Sequence, residues 1–452
     1  MNEFPVSRKR VLLPVLSLLI FFIHFAAGYY MWKNHPYAYM HNDGGCYLDL
    51  AKTIYEKGVF GVPERIYYEA PRTELVPDAF RLPLLPLLTI LFFPFTGSNV
   101  FAAVFLQAFL SLALSLIFYA MGKKIFPESS LFPFLLLILV NLHPLVQNFT
   151  LCYSSELLFM VTLSAFFYFI FLRESKKKYV LLAVAFAAGA YTRSAILPLA
   201  ALFPFFLLLF PFGAEEKKAN LFSWKRWTKP ILFGCTAAVL LLPWCFRNYI
   251  LFDKFTPSTA LGGFNIYIGN SRANLNAYRN SSEFLKEQTV AWKKVLEIAD
   301  NSPEEFVRKP FLLDAKYNEE AKKEYLQMSV KDRLELLAHK ALHFVRPWPN
   351  NPKEGGYNIY LYLILAVGES IFFLFSIAGF FLMWKKGGIS ERNYNTAFLA
   401  VFLSGFFLHL IVQVHFRYRI PFMDLGFFVP FLYCFYIYRN RKNLPSGKEE
   451  KI

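Results

Sequence analysis

Long apolar runs separated by short polar segments recur along most of the chain. A helix that crosses a bilayer takes about 20 predominantly apolar residues. By this measure the pattern predicts ten spans, at residues 11–31, 100–121, 131–149, 156–172, 179–191, 195–212, 230–250, 358–384, 394–414 and 418–438. We therefore expect an all-α fold, a polytopic integral membrane bundle of about ten transmembrane helices.

One further apolar run, at residues 82–97, departs from this pattern. It is short and carries Pro83, Pro86 and Pro94, which suits a helix at the membrane interface better than a crossing. Residues 44–58, which follow the first span, also show helical spacing. The first loop is therefore predicted to hold two juxtamembrane helices.

The segment between the seventh and eighth spans is too polar to enter lipid. Residues 252–356 carry 16 basic and 14 acidic residues. Within 329–345, apolar residues recur every three or four positions, and Ser329 stands where a helix N-cap is expected. These patterns predict a transmembrane module at 1–250, a small helical cap at 251–356, and a three-span module with a terminal tail at 357–452.

Charge gives the predicted bundle an orientation. The chain is 56% hydrophobic and 19% aromatic, yet its formal net charge is +16. If 82–97 stays on one surface, six segments share a side with the N-terminus: 1–10, 122–130, 173–178, 213–229, 385–393 and 439–452. They hold 22 Lys and Arg against 8 Asp and Glu, which is +14 of the total. Because basic loops face the cytoplasm, both termini are predicted to be cytoplasmic, and the charge requires no nucleic-acid partner.

Seven charged residues are predicted to gather at the opposite, extracytoplasmic face. They lie in the first loop or at helix ends: Asp43, Arg81, Glu156, Arg193, Arg247, Arg417 and Arg419. Basic residues are depleted from short outer turns, so the presence of Arg193, Arg247, Arg417 and Arg419 there requires an explanation. Snorkelling to lipid headgroups is the structural alternative. The functional hypothesis is that all five arginines bind a donor phosphate, because a guanidinium grips phosphate oxygens bidentately.

The two carboxylates also have ordinary structural interpretations. Asp43 could cap the helix that follows it, and Glu156 could be a first-turn acid favoured by the helix dipole. Together with the arginines, however, they suit glycosyl transfer from a lipid phosphate. A base would take the acceptor proton while cations stabilise the departing phosphate. Since no nucleotide-sugar pool exists outside the cytoplasm, the expected donor is a polyprenyl-phosphate-linked sugar.

The order and spacing of several motifs resemble those of the GT-C glycosyltransferases. The likeness is narrower to the bacterial branch related to protein O-mannosyltransferases and aminoarabinose transferases. The motifs are Asp43 with Tyr47-Leu48, Ala51 and Gly58-Val59-Phe60; Arg81-Leu82-Pro83-Leu84-Leu85-Pro86; Ser155-Glu156-Leu157-Leu158-Phe159; Tyr191-Thr192-Arg193; Pro243-Trp244 with Arg247-Asn248-Tyr249; and Arg417-Tyr418-Arg419-Ile420-Pro421.

This resemblance implies an inverting transferase that uses a dolichyl- or undecaprenyl-phosphate sugar, with Asp43 as the catalytic base. It places Arg81 near the donor phosphate, and it gives Glu156 an acceptor-orienting or metal-binding role. Many relatives carry a second acid directly after the first-loop aspartate, where this chain has Gly44. No cofactor is expected, with a divalent cation as the alternative. The five cysteines lack paired spacing, so they predict neither a disulfide framework nor a zinc site.

We therefore expect a hexosyl- or pentosyltransferase of a bacterial inner membrane. Its partners would be the lipid-linked sugar, a glycan, lipid or protein acceptor, and the bilayer. A flippase or transporter for a lipid-linked glycan is one alternative, and an O-antigen ligase or polymerase is another. A flippase predicts polar residues along a route between the two faces, and a ligase predicts a different loop layout without the early Asp43 turn. The predicted clustering of polar groups at one face favours the transferase.

Overall fold

Apolar segments become helices throughout the described chain, because a backbone in lipid must satisfy its hydrogen bonds within its own segment. The structure, a computed structural model, describes residues 6–40, 43–62, 75–210, 212, 220, 222–279, 284–300, 309–348 and 358–439. It confirms the prediction of an all-α, polytopic membrane protein. The terminal tail beyond residue 439 lies outside the described residues.

The first half of the chain builds most of the bundle. Its helices are α1 (Val6–Asn34), α2 (Pro36–Tyr39), α3 (Gly44–Lys57), α4 (Leu84–Ile90), α5 (Phe93–Thr96), α6 (Val100–Ile125), α7 (Leu131–Leu142), α8 (Pro144–Thr150), α9 (Ser155–Ile170), α10 (Lys176–Ala190), α11 (Leu199–Leu209) and α12 (Trp224–Phe252). A 3₁₀ turn at Ser194–Ile196 precedes α11. One large apolar core joins this half to the last helices of the chain.

The first loop contains helices at both predicted positions. The predicted helix at 44–58 is α3, and the run 82–97 forms α4 and α5, which begins next to Pro94. The sequence pattern did not predict a short antiparallel ladder between β1 (Gly61–Val62) and β2 (Val76–Pro77). Its two-residue strands are too short to show an alternating pattern.

The cap consists of helices α13 (Gly262–Asn270), α14 (Arg272–Arg279), α15 (Phe284–Asp300), α16 (Pro310–Gln327) and α17 (Val330–Val345). Ser329 caps α17 as predicted, since its hydroxyl oxygen accepts from the Asp332 amide at 3.1 Å. The cap has its own small apolar core around Tyr267, Leu313 and Tyr317. The backbone of Ala260 also donates to Ala79 O at 2.8 Å, which ties the start of the cap to the first loop.

The chain ends in α18 (Ile359–Lys386), α19 (Ile389–Ile411), the short α20 (Phe416–Arg419), a π-helical turn at Ile420–Asp424, and α21 (Leu425–Arg439). In the described chain, six helices are long and apolar enough to cross a membrane, and α7 with α8 would make a seventh despite a 66° bend. Several predicted spans correspond to shorter apolar helices, including α9 and the helical stretch Ser194–Leu209. The count of ten spans therefore stays a prediction, as do the three-part division and the side of each terminus.

Candidate active site

A cavity of about 590 Å³ lies where the first loop, the bundle and the cap meet. Its charged lining residues are Asp43, Arg81, Arg193 and Arg417. These four come from segments that are far apart in the chain. The predicted topology placed all four residues at the same end of the bundle. In the structure the four side chains line one cavity there.

Asp43 stands directly before α3 but does not act as its side-chain cap. No hydrogen bond runs from its carboxylate to the first turn of the helix. Instead, Asp43 Oδ1 accepts from Arg81 Nη2 at 2.7 Å. The Asp43 side chain is 32% exposed, whereas Arg81 is 3% exposed. The carboxylate is therefore held from behind by a buried cation and remains open to the cavity.

Gly44 explains why a second acid is missing after Asp43. A Cβ atom at this position would lie 2.5 Å from the backbone oxygen of Tyr153. Side-chain carbons do not approach a carbonyl oxygen so closely, so the start of α3 packs here only with glycine. An additional carboxylate at residue 44 does not fit this backbone.

Asp78 positions Arg81 and is a residue that sequence reasoning missed. Its Oδ1 accepts from the amides of Phe80 at 2.9 Å and Arg81 at 2.7 Å, a local turn that aspartate side chains favour. Burial raises the pKa of Asp78, and the Arg81 guanidinium offsets part of that rise. The Asp78 amide also donates to Phe60 O at 3.0 Å, beside the β1–β2 ladder. The sequence Pro77-Asp78-Ala79-Phe80 carried a signal for this turn.

Glu156 lies behind the cavity wall at the start of α9, where it pairs with two arginines. Its Oε1 is 2.8 Å from Arg193 Nη1 and 3.7 Å from Arg417 Nη1. Arg193 Nη1 also donates to the Ser155 hydroxyl at 3.1 Å. Burial lowers the pKa of Arg193, but the Glu156 carboxylate together with the phenols of Tyr418 and Tyr47 outweighs burial, and the net pKa is raised. Glu156 therefore fixes both guanidinium groups, and it does not itself line the cavity.

The ionic groups around the cavity leave one positive charge in excess. Two carboxylates, Asp43 and Glu156, face the three guanidinium groups of Arg81, Arg193 and Arg417. The buried Arg417 Nε has no hydrogen-bond partner among the described residues. Tyr47 lies between the two ion-pair groups, and burial raises the pKa of its phenol to about 12. The cavity therefore offers cationic donors to an anion, with a neutral phenol beside them.

Two of the arginines predicted to bind phosphate lie away from the cavity. Arg247 donates to Asp78 O at 2.7 Å, and its guanidinium sits over the ring of Trp244 at 4.5 Å. It therefore holds the first loop against α12. Arg419 is 1% exposed and bonds to Asp424 Oδ2 at 2.9 Å inside the bundle. Neither lines the cavity, so we revise both assignments to positioning roles.

The cap supplies lining residues that the sequence pattern did not reveal. They are Ser258, Thr259, Leu261, Gly262, Phe264, Asn265 and Trp292. Trp292 lies about 250 residues after Asp43, and nothing in its local spacing points to the cavity. The neutral character of this wall is a property of the folded cap.

The carboxylates near the cavity are already paired with arginine side chains. No group of three or more His, Cys, Asp and Glu side chains lies together among the described residues. Asp43 and Glu156 are each engaged by arginine, and cations that compete for the same oxygens would have to displace a guanidinium. We therefore derive no chemical step through a metal.

No protein-family model matches the chain, and no curated protein matches it in sequence. Among solved structures, ArnT from Cupriavidus metallidurans bound to undecaprenyl phosphate aligns with 92% of this chain and 78% of its own, at 13% identity and a TM-score of 0.41. The oligosaccharyltransferase AglB from Archaeoglobus fulgidus, with an inhibitory peptide and a dolichol-phosphate, aligns with 96% of this chain at 15% identity and a TM-score of 0.47.

A second structure of the Archaeoglobus fulgidus oligosaccharyltransferase, with Zn and sulfate, gives 15% identity and a TM-score of 0.48. The chain spans about half the length of these archaeal proteins, 52% and 49%. At such identities no residue role passes from them to this chain. The three alignments cover 92–96% of this chain.

Proposed function

We propose that the chain is a membrane glycosyltransferase that moves a sugar, with inversion, from a polyprenyl-phosphate donor to an extracytoplasmic acceptor. The observation that carries this proposal is the cavity whose lining includes the partly exposed Asp43 carboxylate together with the guanidinium groups of Arg193 and Arg417. A carboxylate suits proton removal, and paired arginines suit a phosphate leaving group. The charge asymmetry of the loops supports an extracytoplasmic site.

In the proposed reaction, an acceptor hydroxyl gives its proton to Asp43. The hydroxyl oxygen forms a bond to the anomeric carbon of the sugar while the bond from that carbon to the phosphate oxygen breaks. The electron pair of the broken bond leaves with the polyprenyl phosphate, and attack from the opposite side inverts the anomeric centre. No acid is needed, because phosphate leaves readily as an anion.

The ion pair of Asp43 with Arg81 and the group of Glu156 with Arg193 and Arg417 have different roles in this scheme. Arg81 is nearly buried and bonds Asp43 directly, so we assign it to orienting the base. Arg193 and Arg417 are 18% and 25% exposed and line the cavity, so they are the better candidates for the donor phosphate. Glu156 keeps them aligned, since a charged partner restricts both side chains. The side chains of Arg193 and Arg417 therefore need little rearrangement when the donor binds.

The test compares Asp43→Asn with Asp49→Asn, a change of the same kind on the exposed side of α3. Asp49 is 57% exposed and lies 3.8 Å from Lys52, away from the cavity. Membranes containing each variant receive a panel of radiolabelled hexosyl and pentosyl polyprenyl phosphates, and label transferred to native acceptors is measured. Removing a general base should lower the transfer rate by about 10²–10⁴-fold in Asp43→Asn, with no change in Asp49→Asn.

Undiminished transfer by Asp43→Asn, at equal protein levels, would remove Asp43 from the base role. A flippase would give a different result, because it would move the donor with its bond between sugar and phosphate intact. Analysis of the lipid product separates these outcomes: a transferase releases free polyprenyl phosphate, and a flippase does not.

A further inference from the structure

The cavity has two chemically different walls. The wall from the first loop and the bundle carries the charged residues Asp43, Arg81, Arg193 and Arg417. The wall from the cap carries no charged side chain among its described lining residues. An anion in the cavity would therefore meet cationic side chains on one side only, and a group that contacts the cap wall would meet neutral side chains.

An aromatic pair dominates the cap wall. Trp292 is 41% exposed, and its ring centroid lies 5.4 Å from that of the half-buried Phe264. Phe264 in turn packs edge-on against Tyr317, at 5.9 Å, in the apolar core of the cap. The apolar core of the cap therefore fixes the ring on which Trp292 packs. The pair forms a rigid, partly open platform at the rim of the cavity.

The position of this platform is set by the start of α13. Asp314 Oδ1 accepts from the Phe264 amide at 3.2 Å. Gly263 packs directly against the backbone oxygen of Asp314, where a side-chain carbon would clash. These contacts hold Phe264 and the following Asn265 against α16. Phe264 is thus held in place by contacts between the backbone of α13 and α16.

Neutral hydrogen-bonding groups surround the aromatic pair. Ser258, Thr259 and Asn265 come from the cap, and Gln413 comes from the segment after α19. The backbone amide of Gln413 donates to Asn265 O at 2.9 Å, so these two residues lie side by side. Hydroxyl and amide side chains recognise hydroxyl groups, and an aromatic face packs against the apolar face of a ring.

We propose that the cap wall binds a neutral saccharide acceptor, with its ring on Trp292 and Phe264 and its hydroxyl groups toward Asn265 and Gln413. This inference rests on the proposed function, and it specifies the acceptor class of the same site. An acidic acceptor, such as a phosphorylated lipid headgroup, would need cations that the described cap lining lacks. The acceptor hydroxyl then gives its proton to Asp43 and forms the new glycosidic bond.

Binding can be measured without catalysis. Labelled full-length protein in nanodiscs is applied to an array of neutral oligosaccharides, acidic oligosaccharides and serine- or threonine-containing peptides. We expect binding to neutral saccharides. Trp292→Ala should weaken it by about tenfold, and Trp292→Phe, which keeps an aromatic ring and the packing, should weaken it less. Trp348→Ala is the matched control, since Trp348 is similarly exposed at 38% but lies outside the cavity.

Binding restricted to acidic saccharides or peptides, or neutral-saccharide binding that Trp292→Ala leaves unchanged, would overturn the inference. So would the absence of binding to any neutral saccharide. The outcome is independent of the transfer assay. Saccharide binding lost in Trp292→Ala, together with transfer that does not depend on Asp43, would retain the cap site and refute the proposed reaction.

Discussion

At the scale of single residues, two neighbouring positions at the start of α3 determine where the Asp43 carboxylate lies: Asp43 itself and Gly44, which has no side chain. Asp43 bonds the buried Arg81, and Gly44 lets the helix start against the backbone of Tyr153. Neither feature alone would place the carboxylate at the cavity. Ion pairing orients the side chain, and close backbone packing fixes the point from which it extends.

The adjacent glycines of α3 test this account. A Cβ at Gly44 would lie 2.5 Å from Tyr153 O, while a Cβ at Gly45 would meet nothing within 4 Å. Gly44→Ala should therefore shift the start of the helix and lower transfer activity at least tenfold, about the loss expected from a small misplacement of a catalytic group. Gly45→Ala should keep full activity. Equal activity of the two variants would contradict the packing argument.

At the scale of elements, the segment from α20 to α21 gives neighbouring arginines different surroundings. Successive residues in a helix point about 100° apart. Arg417 therefore reaches the cavity while Arg419 turns into the bundle, where it contacts Asp424, Glu369 and the backbone oxygen of Arg346. This buried network anchors the turn that presents Arg417, and it links the last helix to α18 and to the end of the cap.

Replacing only the arginine of this network should destabilise the protein more than replacing all three charged side chains together. Arg419→Met leaves the carboxylates of Glu369 and Asp424 without their shared cation, and breaking a buried pair in this way costs about 3–5 kcal/mol. The triple variant Arg419→Met, Glu369→Met, Asp424→Leu removes the charges together and should recover most of the lost stability. Thermal unfolding of the purified protein in detergent measures both.

A triple variant that unfolds as early as Arg419→Met would show that the ion pairs are not the source of the loss. Arg333→Met in the cap does not suit this comparison, because Arg333 is half-buried and its Nε donates to Met328 O at 3.1 Å. Lys385→Met, at the polar end of α18, serves instead and should leave the unfolding temperature unchanged.

At the scale of the whole molecule, the cap is joined to the bundle through a buried lysine. Lys340 of α17 is 0% exposed, and its ammonium donates to Asn270 Oδ1 at 3.1 Å. Asn270 Nδ2 in turn donates to Ile411 O at 2.7 Å, at the end of α19. The junction is therefore polar, but among the described residues no carboxylate accepts a hydrogen bond from the lysine that would neutralise it. Burial accordingly lowers the pKa of Lys340 to about 7.

This lowered pKa gives the stability of the protein a predictable pH dependence. An unfolded lysine keeps its proton up to about pH 10.4, whereas folded Lys340 gives it up above about pH 7. The unfolded state thus binds more protons in that window, so stability should rise with pH between these values and level off below the lower one. Lys340→Met should be more stable at neutral pH and lose this rise.

Thermal unfolding across the same pH window measures the effect. Lys331→Met, an exposed change on the same helix, is the control and should follow the wild-type curve. A rise with pH that persists unchanged in Lys340→Met would assign the dependence to other groups.

The sequence by itself determined the membrane class, the all-α architecture and the presence of a surface helix at 44–58. Apolar runs and helical periodicity are local properties, and lipid allows few alternatives to a helix. It also singled out Arg193 and Arg417, because basic residues at predicted outer helix ends are unusual under the positive-inside rule. Asp43 was singled out because a carboxylate beside such arginines suits glycosyl transfer. The short helices and the bend between α7 and α8 were not visible in composition alone.

Only the tertiary structure decided which of these residues meet. The direction of a side chain depends on helix rotation and packing, so spacing could not separate Arg417 at the cavity from Arg419 in the bundle, or show that Arg247 braces the first loop. The cap wall around Trp292 exists only because distant segments pack on the bundle. The sequence shows where the charged residues and the apolar runs lie along the chain. Which charged side chains meet at the cavity depends on long-range packing, which no local pattern encodes.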